Sequence, residues 1–174
     1  MTDVRLEPLA AQHVTCVEAL LEDPEILRFT RVPEPVPPGF AEEWIRRYES
    51  TRRDGTRDAY AAFDPSGAFV GLGFAPHIDR EASEVELGYV VAPAARGRGV
   101  ATEILRRLTR WAFDEAGALR IVLHIDVENP ASERVAEHCG YVREGVMRSA
   151  HVKQGQRADV GLWSRLRSDP EPPG

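Results

Sequence analysis

A chain of 174 residues, 43% hydrophobic and 29% charged, has the length and balance of one globular domain with a sizeable core. Its net charge of −6 argues against nucleic acid as a direct partner, because domains that bind it are usually basic. No apolar run is long enough to cross a membrane, and the opening residues MTDVRLEPLA lack the apolar core of a secretion signal. Cys16 and Cys139 form neither C-x-x-C nor zinc spacing, and His13, His77, His124, His138 and His151 contain no H-x-x-x-H pair. No metal is expected, and the two thiols suit a reduced, cytoplasmic setting.

In chain order, Val4, Leu6 and Leu9 predict a first strand with Pro8 near its end. Ala10 to Leu21 puts Val14, Val17, Leu20 and Leu21 on one helical face, and Asp23-Pro24 breaks it or starts a short turn through Leu27. Residues 31–39, RVPEPVPPG, hold four prolines and exclude both a regular helix and a central strand. A semi-rigid flap carrying substrate contacts is expected there. Phe40, Trp44, Ile45 and Tyr48 mark a helix from about Gly39 to Arg53. Asp58 to Phe63 and Ala68 to Pro76 predict a hairpin around Asp64-Pro65-Ser66-Gly67, followed by a turn from Asp79 to Ala82.

The stretch from Val85 to Trp111 organises the rest. Val85 to Val91 reads as a strand, Ala92 to Arg98 as a turn, and Val100, Ala101, Ile104, Leu105, Leu108 and Ala112 as one face of a helix ending near Gly117. A helix N-terminus offers unpaired N–H groups and partial positive charge, so this junction suits a phosphate group. Gly97 and Gly99 leave room for phosphate to approach the backbone. Ala101 keeps the first turn narrow, Thr102 adds a hydroxyl, and Arg96 and Arg98 add charge. One diphosphate is the natural ligand. The pattern is neither G-x-x-x-x-G-K-S/T nor G-x-G-x-x-G, because no lysine follows the glycines and Thr102 replaces the third glycine.

Beyond it, Leu119 to Val127 predicts a strand. Asn129-Pro130 caps and starts a helix that buries Val135, Ala136 and Cys139 and stops at Gly140. Val142 to Val152 and Arg157 to Leu166 predict a last hairpin around Lys153-Gln154-Gly155-Gln156. Residues 168–174 are expected to be a mobile tail, leaving 1–167 as one domain.

The turn Arg96-Gly97-Arg98-Gly99-Val100-Ala101 resembles the acyl-CoA loop of the GNAT N-acetyltransferase superfamily, Q/R-x-x-G-x-G/A. Glu86-Leu87-Gly88-Tyr89 matches the E-L/I-G-Y that precedes that loop. Asn129, Ser132, Val135-Ala136, Gly140-Tyr141 and Glu144-Gly145 resemble the N-x-x-S, apolar pair and G-F/Y-x-x-E-G of its RimJ/RimL-type branch. That resemblance implies an α+β fold: a mixed, mostly antiparallel sheet of about seven strands with flanking helices and a splayed central parallel pair. CoA would lie in the V between these strands, its diphosphate on Arg96 to Thr102. Its pantetheine would pair with the edge at Val90 and Val91, and its thioester would lie near Asn129 and Ser132.

The chemistry implied is acyl transfer, by default acetyl, from acetyl-CoA to a primary amine such as a protein N-terminus or a small molecule. The N–H near Val91 would face the oxyanion. Ser132 would protonate or hydrogen-bond the departing thiolate, although Asn129 is a good helix cap with or without catalysis. The base is Glu86, with His151 as its competitor. Asp79, Glu81, Glu84 and Glu86, with the net charge, suggest a cationic acceptor. A non-catalytic acyl-CoA-binding regulator on the same fold is the alternative, and Asn129 with Ser132 favours the enzyme. Exposed strand edges suit a dimer.

Overall fold

A computed structural model describes residues 3–153 and 155–172. Its strands are β1 (Arg5–Pro8), β2 (Asp58–Phe63), β3 (Phe69–Asp79), β4 (Glu84–Val91), β5 (Arg120–Asp126), β6 (Val142–Lys153) and β7 (Gln156–Leu166). Its helices are α1 (Val14–Leu21), α2 (Pro24–Phe29), α3 (Phe40–Asp54), α4 (Val100–Asp114) and α5 (Pro130–His138). The strands form one sheet in the order β1-β2-β3-β4-β5-β7-β6. Only β4 and β5 are parallel neighbours; the other pairs are antiparallel. This is the expected mixed α+β sheet.

Alternation along β4 divides the molecule into two cores. Val85, Leu87, Tyr89 and Val91 face α4 and α5, where Ile104, Leu105 and Leu108 are fully buried. Val90 faces α1 to α3, where Leu9, Ile45 and Tyr48 are buried. Gly73 lets α4 settle on β3, since a Cβ there would lie 2.7 Å from Leu108 Cδ1.

Local chemistry explains where elements begin. Asp23 accepts hydrogen bonds from Glu25 and Ile26, both 2.9 Å, and Pro24 occupies the first position of α2. The helix expected from Ala10 starts later. His13 Nδ1 accepts the Ala10 N–H at 3.1 Å, and Ala11–His13 coils as a tighter 3-10 turn before α1. β3 runs past Pro76 because a bulge between Phe74 and His77 removes Pro76 from the ladder. The last hairpin is tighter than expected, with β6 reaching Lys153 and β7 starting at Gln156; Gln154 lies outside the described residues.

β6 is an edge strand whose Val142, Val146 and Val152 are exposed. Two register shifts and Ser149 at φ 54° interrupt it. After β7 the Leu166 N–H donates to Asp169 at 2.8 Å and Arg165 pairs with Glu171 at 3.1 Å. Residues 173 and 174 of the expected tail lie outside the described residues.

Candidate active site

The parallel ladder between β4 and β5 holds only three rungs: Glu84 with Arg120, Val85 with Ile121 and Glu86 with Val122. Past Glu86 the two strands part. β4 stays paired with β3 as far as Val91, and β5 with β7 as far as Asp126. The Ala92 N–H donates to Val70 O at 2.9 Å, which fixes the phase of the β3–β4 ladder. Gly88 and Val90 therefore bond toward β3, and the peptide groups of Leu87, Tyr89 and Val91 face the gap. Of the two residues expected to offer a free edge, Val91 offers its backbone and Val90 does not. Gly71 makes this packing possible, because a Cβ there would sit 2.3 Å from Val90 O.

At the open end of β4 the chain turns through Pro93–Ala95 and enters α4. Gly97 and Gly99 have φ of 71° and 76°, in the left-handed region. A Cβ at Gly97 would meet nothing within 4 Å, so the space beside the turn is open. Val100 is 1% exposed and pins the first turn to the core, while Gly99 is exposed and Ala101 and Thr102 are half-buried. The first N–H groups of α4 have no partner within the helix. Arg98 Nη1 donates to Ala94 O at 3.5 Å, and its guanidinium lies 3.9 Å from Asp64. Arg96 reaches sideways instead, to Asp23 at 3.0 Å and Glu25 at 2.7 Å. Arg96 thus ties the turn to the cap of α2, and the same hydrogen bond holds the Asp23 carboxyl below its usual range.

Across the gap, Asn129 caps α5: its Oδ1 accepts the Ser132 N–H at 3.1 Å. The Tyr89 hydroxyl points from β4 toward this turn. It is buried without a hydrogen-bond partner, yet Ser132 is near enough to act on its ionisation. Burial pushes the Tyr89 phenol up to about 12. A groove of about 490 Å³ lies between α2 and the start of α5, lined by Glu25, Arg28 and Phe29 of α2 and by Glu128, Asn129 and Arg134. The groove shares Asn129 with the α5 cap, and Glu25 on its wall is one of the two acids that Arg96 of the turn pairs with.

The profile of the acetyltransferase (GNAT) domain matches residues 3–142. The chain is a member of the GNAT family of N-acetyltransferases. YdaF of Bacillus subtilis is 29% identical over 103 residues, 59% of this chain and 56% of that protein, so the match spans just over half of its length. Spermidine N(1)-acetyltransferase of Vibrio cholerae is 26% identical over 121 residues, 70% of each chain. The crystal structure of the spermidine N-acetyltransferase from Vibrio cholerae with CoA and spermine superposes with a TM-score of 0.83 at 24% identity, covering 95% of this chain and 96% of that one. RimL, a ribosomal alpha-N-protein acetyltransferase in complex with coenzyme A, superposes with a TM-score of 0.86 at 20% identity over 95% of each chain.

The opposite face of this GNAT sheet carries charge. Glu86 of β4, in the last rung of the parallel ladder, and His124 of β5, two residues beyond that rung, lie 3.0 Å apart, Oε1 to Nδ1. Burial works to raise the Glu86 carboxyl. His124 beside it, helped by Arg31 and His77, brings it below the usual carboxylate range. His151 stands apart on β6: burial and nearby Arg31 lower its pKa, and its Nε2 is buried without a hydrogen-bond partner. The two expected bases are therefore not partners, and His124 is the group that sequence reasoning missed. Nothing local marks it, because its partner lies 38 positions earlier on another strand.

Three other acids belong elsewhere. Asp79 accepts the Ala82 N–H at 2.9 Å in its own turn, Glu81 is exposed, and Glu84 pairs with Arg120 at 2.7 Å. They sit at the closed end of β4, and at about 3.3 Å per residue the phosphate turn is some 20 Å or more away. Only Glu86 reaches the gap. Glu144 is a strand residue: both of its oxygens accept from Arg120, at 2.5 and 2.8 Å, and Ser164 Oγ donates to it at 2.6 Å. Arg120 thus clamps β4, β5 and β6 together.

Proposed function

We propose that this GNAT domain, residues 1–167, transfers acetyl from acetyl-CoA to a cationic primary amine. The observation that carries this reading is the parting of β4 and β5 beyond Glu86, beside a glycine turn that leads into the α4 N-terminus. The residues fit the donor. Gly97, Gly99 and the first N–H groups of α4, with Arg98, Val100, Ala101 and Thr102, would hold the diphosphate. The Tyr89 and Val91 peptide groups would pair with the pantetheine and supply a donor to the oxyanion. Arg96 would support the turn through Asp23. Ser132, oriented by Asn129, would hydrogen-bond or protonate the leaving sulfur, and Glu86 on the other face would serve the amine's deprotonation, with His151 as its competitor.

The amine must be neutral to attack, so the enzyme has to bind a cation and remove its proton. The chain's charge of −6 and the acid at the gap support a cationic acceptor. The relatives named above act on a polyamine and on a protein α-amine, which share that chemistry. The bare backbone of β6 would suit pairing between two copies, and the two free thiols fit a reducing cytoplasm.

The test is thiol release from acetyl-CoA with spermidine, a peptide N-terminus and a neutral hydrophobic amine, at low and high salt. Release is expected with the cations, at a rate that falls as salt rises. CoA binding without release from any amine would instead identify an acyl-CoA-binding regulator.

A further inference from the structure

The imidazole of His124 and the carboxylate of Glu86 meet across β5 and β4 at 3.0 Å. Both leave the sheet on the face shared with α1 to α3, Glu86 from the last β4–β5 rung and His124 from two residues beyond it. The neighbours Ile121, Val122, Leu123 and Ile125 are buried, whereas His124 reaches solvent with 27% of its side chain exposed. Continuing the register past Glu86 and Val122 places His124 level with Gly88, where the Phe74 ring packs in place of a Gly88 side chain. The free Tyr89 peptide is the next residue. The imidazole therefore stands where the strands open and where the proposed donor's reacting end would lie.

We propose that His124, held by Glu86, is the catalytic base that takes the proton from the acceptor amine. The proposal rests on the acetyl-transfer reading and deepens it. With Nδ1–H directed to the carboxylate, Nε2 keeps its lone pair and can accept a proton. Glu86 by itself is a poor base in this position, because a carboxylate already compensated by an imidazole gains little from a further proton. Its part is to fix the tautomer and to favour the imidazolium once it forms. An ammonium proton passes to Nε2. The freed nitrogen lone pair forms the C–N bond as the C–S bond breaks, the thiolate takes a proton from the Ser132 side, the second proton shed by the nitrogen restores that side through solvent, and the imidazolium returns its proton to water.

Other groups within electrostatic reach are arranged around the pair. His77 on β3, Arg31 at the start of the flap and Tyr48 on α3 act on or sense Glu86. Asp126 on β5, with Lys153 on β6, acts on His151. Lys153 is occupied by Glu34 of the flap at 2.8 Å. His124 is the group of this set that holds the carboxylate directly.

The experiment compares wild type with His124→Gln, Glu86→Gln and His151→Gln, using the amine that gives the fastest thiol release. It reads the pH profile of kcat/KM and CoA affinity by calorimetry. His124→Gln is expected to lose the acid limb and on the order of 100-fold in rate, with CoA affinity unchanged. Glu86→Gln should lower kcat/KM with CoA affinity unchanged, since the imidazole loses the group that orients it. His151→Gln should keep the limb. Wild-type rate and profile in His124→Gln overturns the proposal and leaves acetyl transfer intact, and loss of the limb in His151→Gln alone transfers the role to that residue. A folded, CoA-binding wild type that acetylates no amine overturns the functional reading first, and this proposal with it.

Discussion

One strand, β4, serves two sites of different construction. At its open end the phosphate turn is made of backbone: Gly97 and Gly99 in left-handed conformation, α4 N–H groups and a buried Val100 anchor. At Glu86 the site is made of side chains, a carboxylate and an imidazole brought to 3.0 Å from separate strands. The first kind binds charge with dipoles that are fixed as the chain folds, and it tolerates most changes except at its glycines. The second depends on single atoms and titrates. A backbone site suits a ligand part that never reacts, and a titrating pair suits the part that must lose a proton.

Gly99→Val strikes the backbone site hardest. A branched side chain at φ 76° is strained and would occupy the approach to the α4 N-terminus. With each charge-assisted hydrogen bond worth about 1.5–3 kcal/mol, CoA affinity should fall by about 100-fold or more in a folded variant. Unchanged affinity by calorimetry would remove the diphosphate from this turn.

Ser132→Ala addresses the side-chain half on the thiol side. Its kcat should fall on the order of 10–100-fold while CoA affinity holds, the pattern of an interaction made late in the reaction. An unaffected kcat would leave Ser132 as a turn residue whose N–H caps on Asn129. Gly71→Ala probes the strand that links the two sites. A Cβ 2.3 Å from Val90 O must push that peptide, at a cost of about 1–3 kcal/mol in stability. KM for acetyl-CoA should rise several-fold with no change in the pH profile. A shifted profile would mean that the two sites are coupled through β4.

The smallest effect is expected from Glu144→Gln, outside both sites. The Arg120 hydrogen bonds, with Ser164, hold the Glu144 carboxyl down at about 2 from an ordinary 4.5. A depressed carboxylate adds stability that is present above pH 4.5 and lost as pH falls toward 2. Thermal melts should therefore show wild type losing its small advantage over the variant across that window, with kcat near neutral pH unchanged. A large loss of kcat would show that the Arg120 clamp sets the position of His124.

The glycine turn into α4 could be read from the residues because everything its shape needs is local. Positive φ, the start of a helix and an anchoring apolar residue fall within the six positions from Arg96 to Ala101. The Asn129 cap and the hairpin at Asp64 to Gly67 were legible for the same reason. Arg96 shows where this reading stops. Its charge suited phosphate, yet Asp23 and Glu25, more than seventy positions earlier, claim it.

By itself the sequence determined the αβ pattern of elements, the turn, the helix caps and the family to which the chain belongs, because periods, glycines and caps act over a few residues. Tertiary structure decided that β4 and β5 part after Glu86, that Val91 rather than Val90 faces the gap, and that Asp79, Glu81 and Glu84 lie at its closed end. It also decided that His124, and not His151, meets Glu86. Those facts depend on strand register and on which faces stack. Both are set by summed burial over the whole sheet, and no single segment of the chain contains that sum.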